Sequence, residues 1–258
     1  MPYRITLPFE VGGEVSGSGL GRALCANVYA WLEAADAGLA EEVHQRPEVK
    51  PFTLSPLTKA RDGRRLLHVT LLDDSLWPAI LAGLQSRPCL GIRDRSFALA
   101  PHGLEMDYAS YDQIFRDASA SRYIDLRFVT PTCFRAGDLD YPLPEPRALY
   151  TSWLSRWQRF APQSLAIEEE LLDAAWRHVG ISDCDIRTQT VDLGYGKQVG
   201  FLGTLTLCIV KAGELSEAMR RHLHVLASYA AFCGSGIKTT HGMGQTRRVR
   251  SRRRGGRR

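Results

Sequence analysis

Apolar residues alternate at the start of the chain. Tyr3, Ile5, Leu7, Phe9 and Val11 share one face, so residues 3–11 read as a half-buried strand. A turn-rich segment, GGEVSGSGLG, follows. The period then changes: Leu20, Leu24, Val28, Trp31 and Ala35 recur every three or four residues, which predicts an amphipathic helix with a break near Asp36–Gly38. A second short helix, LAEEVHQ, should stop at Pro47. Strands are expected over 49–57 and 65–72, joined by ARDGR, then a helix over 77–86 and a strand or hairpin over 88–106. The order is β-α-β-β-α-β, a ferredoxin-like pattern.

A polar stretch, 107–122, reads as a junction, after which the same order begins again. A strand is expected over 123–135, a Pro-rich loop over 136–146, and helices over 147–160 and 165–179. Strands over 184–193 and 199–211 flank the turn GYGK, followed by a helix over 214–231 and a last strand around 245–250. The fold class is therefore α+β: two tandem ferredoxin-like, RNA-recognition-type βαββαβ domains with a C-terminal Gly-rich loop. The expected divisions are 1–118, 119–250 and a basic, disordered tail at 251–258.

Charge changes the picture at one end. The net charge is +5, but residues 247–258 carry eight arginines and no acid, and without them the chain stands at −3. A mildly acidic body with a polycationic end attracts polyanions. No apolar run is long enough to span a bilayer, and the N-terminus lacks the features of a signal peptide, so a cytoplasmic location is expected. The six cysteines, at 25, 89, 133, 184, 208 and 233, show no CxxC spacing, which predicts reduced, mostly buried thiols and no metal site.

The most specific motif is GSGIKTTHGMG, Gly234 to Gly244, with glycines at 234, 236, 242 and 244. Such a run permits positive φ and close approach of a partner to the main chain. Its successive amides can form an anion-binding nest. Lys238 and His241 add cationic or hydrogen-bonding groups, and Thr239 and Thr240 add hydroxyls. The motif is neither a Walker A loop nor a dinucleotide-binding fingerprint, because the spacing and the preceding helix are wrong for both. Arg247, Arg248 and Arg250 follow directly and can pair with phosphates.

This loop, its place near the C-terminus and the doubled fold pattern resemble the RAMP superfamily, and within it the CRISPR-associated repeat-processing endoribonucleases. The segments YRITLPFEV, EVHQRPEVKPFTLSPL, RFVTPTCFR with its following LPEP, and ASYAAFCGSGIKTTHGMGQ carry the likeness. The resemblance implies an endonuclease that cuts CRISPR precursor RNA within its repeats and contributes to antiviral defence. It implies catalytic residues at Tyr29, His44 and Lys50, with no metal and no cofactor. RNA cleavage without metal needs a base for the 2′-hydroxyl, an acid for the departing 5′-oxygen and positive charge for the phosphorane. His44 would be the principal acid or base, Lys50 the stabilising charge, and Tyr29 the group that orients the 2′-hydroxyl. The products would be a 2′,3′-cyclic phosphate and a 5′-hydroxyl end.

His241 competes with His44 for the catalytic role. His222 and His224 read as residues framing the helix surface, His68 as a packed strand residue, and His102 and His178 as loop and helix-end residues. The aromatic signature of RNA-recognition motifs is absent, so RNA binding is expected at the Gly-rich loop, the cleft between domains and the basic residues. The expected partners are CRISPR repeat RNA and subunits of a CRISPR interference complex, with the chain acting as monomer or homodimer. The competing readings are a non-catalytic RNA-binding RAMP subunit and a ferredoxin-like module for small molecules or proteins.

Overall fold

The computed structural model describes residues 1–13, 15–46, 49–100 and 102–249. Pro47, expected to stop the second helix, lies outside these residues, as do Arg250 and the tail at 251–258.

The first half begins with β1 (Tyr3–Phe9), α1 (Leu20–Ala35) and α2 (Ala37–Gln45). Next come β2 (Phe52–Leu54), β3 (Thr58–Lys59), β4 (Arg65–Leu71) and α3 (Trp77–Ser86). The hairpin β5 (Cys89–Ile92) and β6 (Arg95–Ala98) precedes β7 (Glu105–Tyr108). Its main sheet runs in the order β2-β4-β1-β7, with antiparallel neighbours, and β3 joins β4 off this path. Ile5, Leu7 and Phe9 point to the helices and pack with Leu24, Val28 and Trp31 of α1 and Ile80 of α3.

The second half holds α4 (Tyr111–Arg116), β8 (Tyr123–Thr132), β9 (Phe134–Ala136), β10 (Leu139–Tyr141), α5 (Pro146–Phe160) and α6 (Glu170–His178). It ends with β11 (Val179–Asp192), β12 (Lys197–Ile209), α7 (Glu217–Cys233) and β13 (Thr246–Arg248). The sheet order is β11-β12-β8-β13. This is the strand arrangement of the first half once more, and the fold is two ferredoxin-like units in tandem. Ile124, Leu126 and Phe128 of β8 pack against Trp153 and Trp157 of α5 and Leu226 and Tyr229 of α7.

Local chemistry explains several boundaries. Asp36 ends α1 with an extended backbone and starts α2, accepting a hydrogen bond from the Leu39 amide at 3.0 Å. Ser216 caps α7 in the same way through Met219 N, and the Glu145 carboxylate caps α5 ahead of Pro146.

Other expectations need correction. The stretch 107–122 is not only a junction: it holds the end of β7 and helix α4, whose Tyr111 and Ile114 are buried, and Tyr111, Ile114 and Ala118 pack in the second core, across the expected boundary at 118. The Pro-rich 136–146 loop contains β10, because Leu139–Tyr141 pair back onto β9. The strand expected over 49–57 shortens to β2, with β3 forming beyond it, and the helix expected at 165–179 starts only at Glu170. Cys184 is exposed on the edge strand β11.

His224 does not frame the surface. It is fully buried, with Nε2 bonded to Ser121 O at 2.8 Å and Nδ1 to Ser119 Oγ at 3.1 Å, while Arg248 of β13 lies 3.4 Å from Nδ1. Helix periodicity misplaced it because hydrogen bonds to the interdomain linker satisfy its polar atoms inside the core. Burial, with Arg248 alongside, lowers its pKa to about 4. The unfolded chain therefore takes up this proton first, and stability contributed here is lost as pH falls from the ordinary histidine range towards 4. The Tm of the wild type should fall more between pH 7 and pH 5 than that of His224→Gln measured in parallel. Equal falls would contradict this role.

Candidate active site

Three segments build one corner of the molecule. Helix α1 carries Cys25 and, one turn on, the half-buried Tyr29. The break at Asp36 folds α2 back along α1, so the exposed His44 at its end meets Tyr29, the ring centroids 5.2 Å apart at 84°. Phe52 of β2 supports the tyrosine ring from another side at 5.6 Å. Neither the Tyr29 hydroxyl nor the His44 imidazole has a hydrogen-bond partner among the described residues, so both are available to a ligand. Burial pushes the Tyr29 hydroxyl up, with a contribution from Cys25. It is therefore a protonated phenol at neutral pH and acts as a donor.

Lys50 joins this corner in an unexpected way. Its ammonium donates to the carbonyls of Val43 at 3.2 Å, His44 at 2.6 Å and Arg46 at 2.5 Å. These are acceptors left over at the C-terminus of α2, and all three N–H donors of the lysine are engaged. The residue thus fixes the segment that presents His44, while its charge remains at the wall of a cavity of about 250 Å³. Burial lowers its pKa.

The opposite wall of that cavity is the Gly-rich loop, through Gly236, Lys238, Thr239 and Thr240. Thr240 is hydrogen-bonded to the Cys25 thiol, which burial pushes up to about 11. The two halves of the chain are thereby linked beside Tyr29. Cys25 was legible only as a buried thiol; its place four residues before Tyr29 was the available signal that it shares this face.

The loop itself is more inward-facing than the expected nest. Amides of Ser235, Gly236, Ile237 and Gly244 donate to Gly244 O, Ser152 Oγ, Cys133 O and Pro131 O, all at 2.8–3.0 Å. Gly234, Gly236, Gly242 and Gly244 are buried. Their role is to let the loop fold onto itself; a side chain at Gly236, for example, would strike the Cys133 carbonyl. Lys238, Thr239 and Thr240 show no acceptor for their amides among the described residues. They stand at the start of the short 3-10 turn Thr239–His241 and line the cavity shared with Lys50; the Gly242 amide also lacks an acceptor among the described residues.

His241 opens on a different cavity, of about 410 Å³, with Gly21 and Pro56 in its lining. Its Nδ1 lies 3.2 Å from Thr240 Oγ1. Burial, Lys238 and Arg22 all lower its pKa, which favours the hydrogen-bonding role over the cationic one. Arg156 of α5, missed in the sequence, holds the loop from below: it bonds Gly236 O and Ser152 Oγ, each at 2.7 Å. No sequence signal distinguished it.

The three arginines after the loop separate. Arg247 is exposed, and, after burial, it contributes to lowering the pKa of Arg4. Arg248 turns inward beside His224, where burial lowers its pKa, so it is drawn away from a phosphate-binding face. His68 is the packed strand residue expected, bonded to Thr6 Oγ1 at 3.0 Å.

Loop and helix meet at Gly21, where any Cβ would collide with the His241 carbonyl. Gly21→Ala should lift the 3-10 turn from α1, losing about 1–3 kcal/mol of stability and raising hydrogen exchange at the His241 and Met243 amides. Unchanged exchange at those amides would show that the contact is not required.

Residues 126–246 match the family model described as CRISPR-associated endoribonuclease Cas6. A curated Cas6 endoribonuclease of Streptococcus thermophilus is 22% identical over 83% of this chain and 86% of its own. The product complex of the Thermus thermophilus Cas6 TTHB231 superposes with a TM-score of 0.83 at 27% identity, covering 96% of this chain and 99% of that one. The product complex of the Cas6 TTHA0078 gives 0.77 at 26% identity, covering 97% and 100%. A more distant RAMP protein, titled as binding different RNA substrates, shares the fold at 11% identity and a TM-score of 0.64 over 97% of this chain. The doubled fold, the loop docked on α1 and these likenesses agree: the chain is similar to the Cas6 CRISPR-associated endoribonucleases, and its residues 126–246 match their family model.

Proposed function

We propose that this endoribonuclease cuts CRISPR precursor RNA within its repeats without a metal ion, by attack of a ribose 2′-hydroxyl on the adjoining phosphate. Likeness to the Cas6 endoribonucleases supports repeat-RNA processing, and similar proteins at TM-scores of 0.83 and 0.77 are solved as product complexes. The observation that carries the chemistry is the packing of Tyr29 on His44, whose segment Lys50 holds by its carbonyls while lining a cavity with the Gly-rich loop.

In this reading the outward amides of Lys238, Thr239 and Thr240 hold the strand by its phosphate oxygens. The 2′-oxygen bonds to phosphorus and the bond to the 5′-oxygen breaks. The proton of the 2′-hydroxyl leaves and the departing 5′-oxygen gains one. Tyr29, held protonated, orients the 2′-hydroxyl and does not serve as the base. His44 carries one of the two proton transfers, the usual task of an imidazole near neutral pH, and water carries the other. Lys50 acts first as a positioning residue for His44 and secondly through its charge. A direct bond to phosphate requires it to release one of its carbonyls. Arg247 offers charge in the cleft, whereas the inward turn of Arg248 counts against a phosphate contact.

The test uses labelled repeat RNA in EDTA. The wild type should cleave it, leaving a 5′-hydroxyl end that a kinase labels without prior phosphatase treatment. His44→Ala should lower the rate about 10²–10⁴-fold while binding persists, and His241→Ala should keep the chemical step. Loss of cleavage in EDTA would overturn metal independence. Full activity in His44→Ala with loss in His241→Ala would move the catalytic role to the loop.

A further inference from the structure

The tip of the β11–β12 hairpin is built onto the site from a third direction. Asp192 O accepts from Gly19 N at 3.2 Å, and its carboxylate accepts from Ser18 Oγ at 2.7 Å and Gly194 N at 2.9 Å. This fastening carries Tyr195, at the very turn and 56% exposed, over the start of α1. Two cations from separate segments stand around its ring. The Arg22 guanidinium, from α1, is 5.9 Å from the centroid, and the Lys238 ammonium, from the Gly-rich loop, is 5.4 Å away.

Neither cation has a carboxylate partner among the described residues. The nearby carboxylate of Asp192 is engaged at the tip itself. An aromatic face orients a cation without neutralising it, so both charges remain available. Lys238 adopts a left-handed backbone (φ 58°), an uncommon conformation for a non-glycine residue. The same lysine lines the cavity shared with Lys50. An anion held between Arg22 and Lys238 is therefore next in line to one held at the cleavage corner.

We propose that Arg22, Lys238 and Tyr195 form a clamp for an RNA backbone phosphate neighbouring the scissile one, with Tyr195 as the positioning residue that aims the two cations. This rests on the reading that the chain binds and cuts repeat RNA. The clamp deepens that reading by fixing the strand on the far side of the loop from His44. It also gives the hairpin turn, sequence GYGK, a task that tight turns alone do not need.

The full chain is tested by equilibrium binding to repeat RNA carrying a 2′-deoxy nucleotide at the cut, with single methylphosphonates replacing each phosphate near it in turn. In the wild type, one neutralised phosphate beside the scissile one should weaken binding about tenfold, equivalent to ~1.4 kcal/mol. Tyr195→Leu and Arg22→Ala should each abolish that sensitivity while others persist, and Tyr195→Phe, which keeps the ring, should match the wild type. A wild-type profile in Tyr195→Leu would overturn the clamp, as would a defect in Tyr195→Phe equal to that in Tyr195→Leu. Sensitivity to an abasic nucleotide in place of the methylphosphonate would make the ring a base-stacking platform and overturn the phosphate assignment. Failure of the wild type to bind repeat RNA would overturn the functional reading itself, a result distinct from all of these.

Discussion

Where α1 meets the Gly-rich loop, main chain from one half of the protein rests on main chain from the other. Gly21 leaves just enough room for the His241 carbonyl, and the 3-10 turn of the loop lies across the first turns of the helix. Cys25 and Tyr29 follow on the same helix, so the position of the loop fixes how far its outward amides stand from the Tyr29–His44 pair. In the proposed mechanism the two are complementary: the loop supplies amides for the phosphate and the corner supplies the His44 imidazole.

Polar contacts between the halves hold this approach in register. The face of the first sheet turned away from its helices presents Arg4 and Thr53, which bond the carbonyls of Ala231 and Phe232 at the end of α7. Gln245, just past the loop, donates to Leu54 O at 2.7 Å. A helix ends with unsatisfied carbonyls, and here the other half of the chain satisfies them. The loop therefore leaves α7 from an anchored point. Lys50 does the equivalent for α2, so the two helices that bracket the site are both finished by side chains reaching back from elsewhere in the chain.

Much of the fold was legible because alternation and helical period were strong where elements are half buried: α3 falls where its apolar spacing put it, and both sheets follow the doubled pattern. The exceptions have physical reasons. His224 was misplaced because burial of an imidazole depends on partners more than 100 residues away, Ser119 and Ser121. The β9–β10 pairing was hidden by prolines that flank the hairpin without interrupting it. In the site, the meeting of Tyr29 with His44 followed from the break at Asp36. The engagement of Lys50 by three carbonyls and the inward amides of the loop did not, since both depend on main-chain geometry that residue types leave open.

The account stands on the loop and the N-terminal corner acting on one phosphate. The most direct measurement is a crystal structure with repeat RNA made uncleavable by a 2′-deoxy nucleotide at the cut. It should show the scissile phosphate bonded to amides within Lys238–Thr240, with the His44 imidazole in hydrogen-bonding reach of the 2′ or 5′ position. A scissile phosphate bound away from the loop, or one facing His241 with His44 on the far side of the protein, would contradict it.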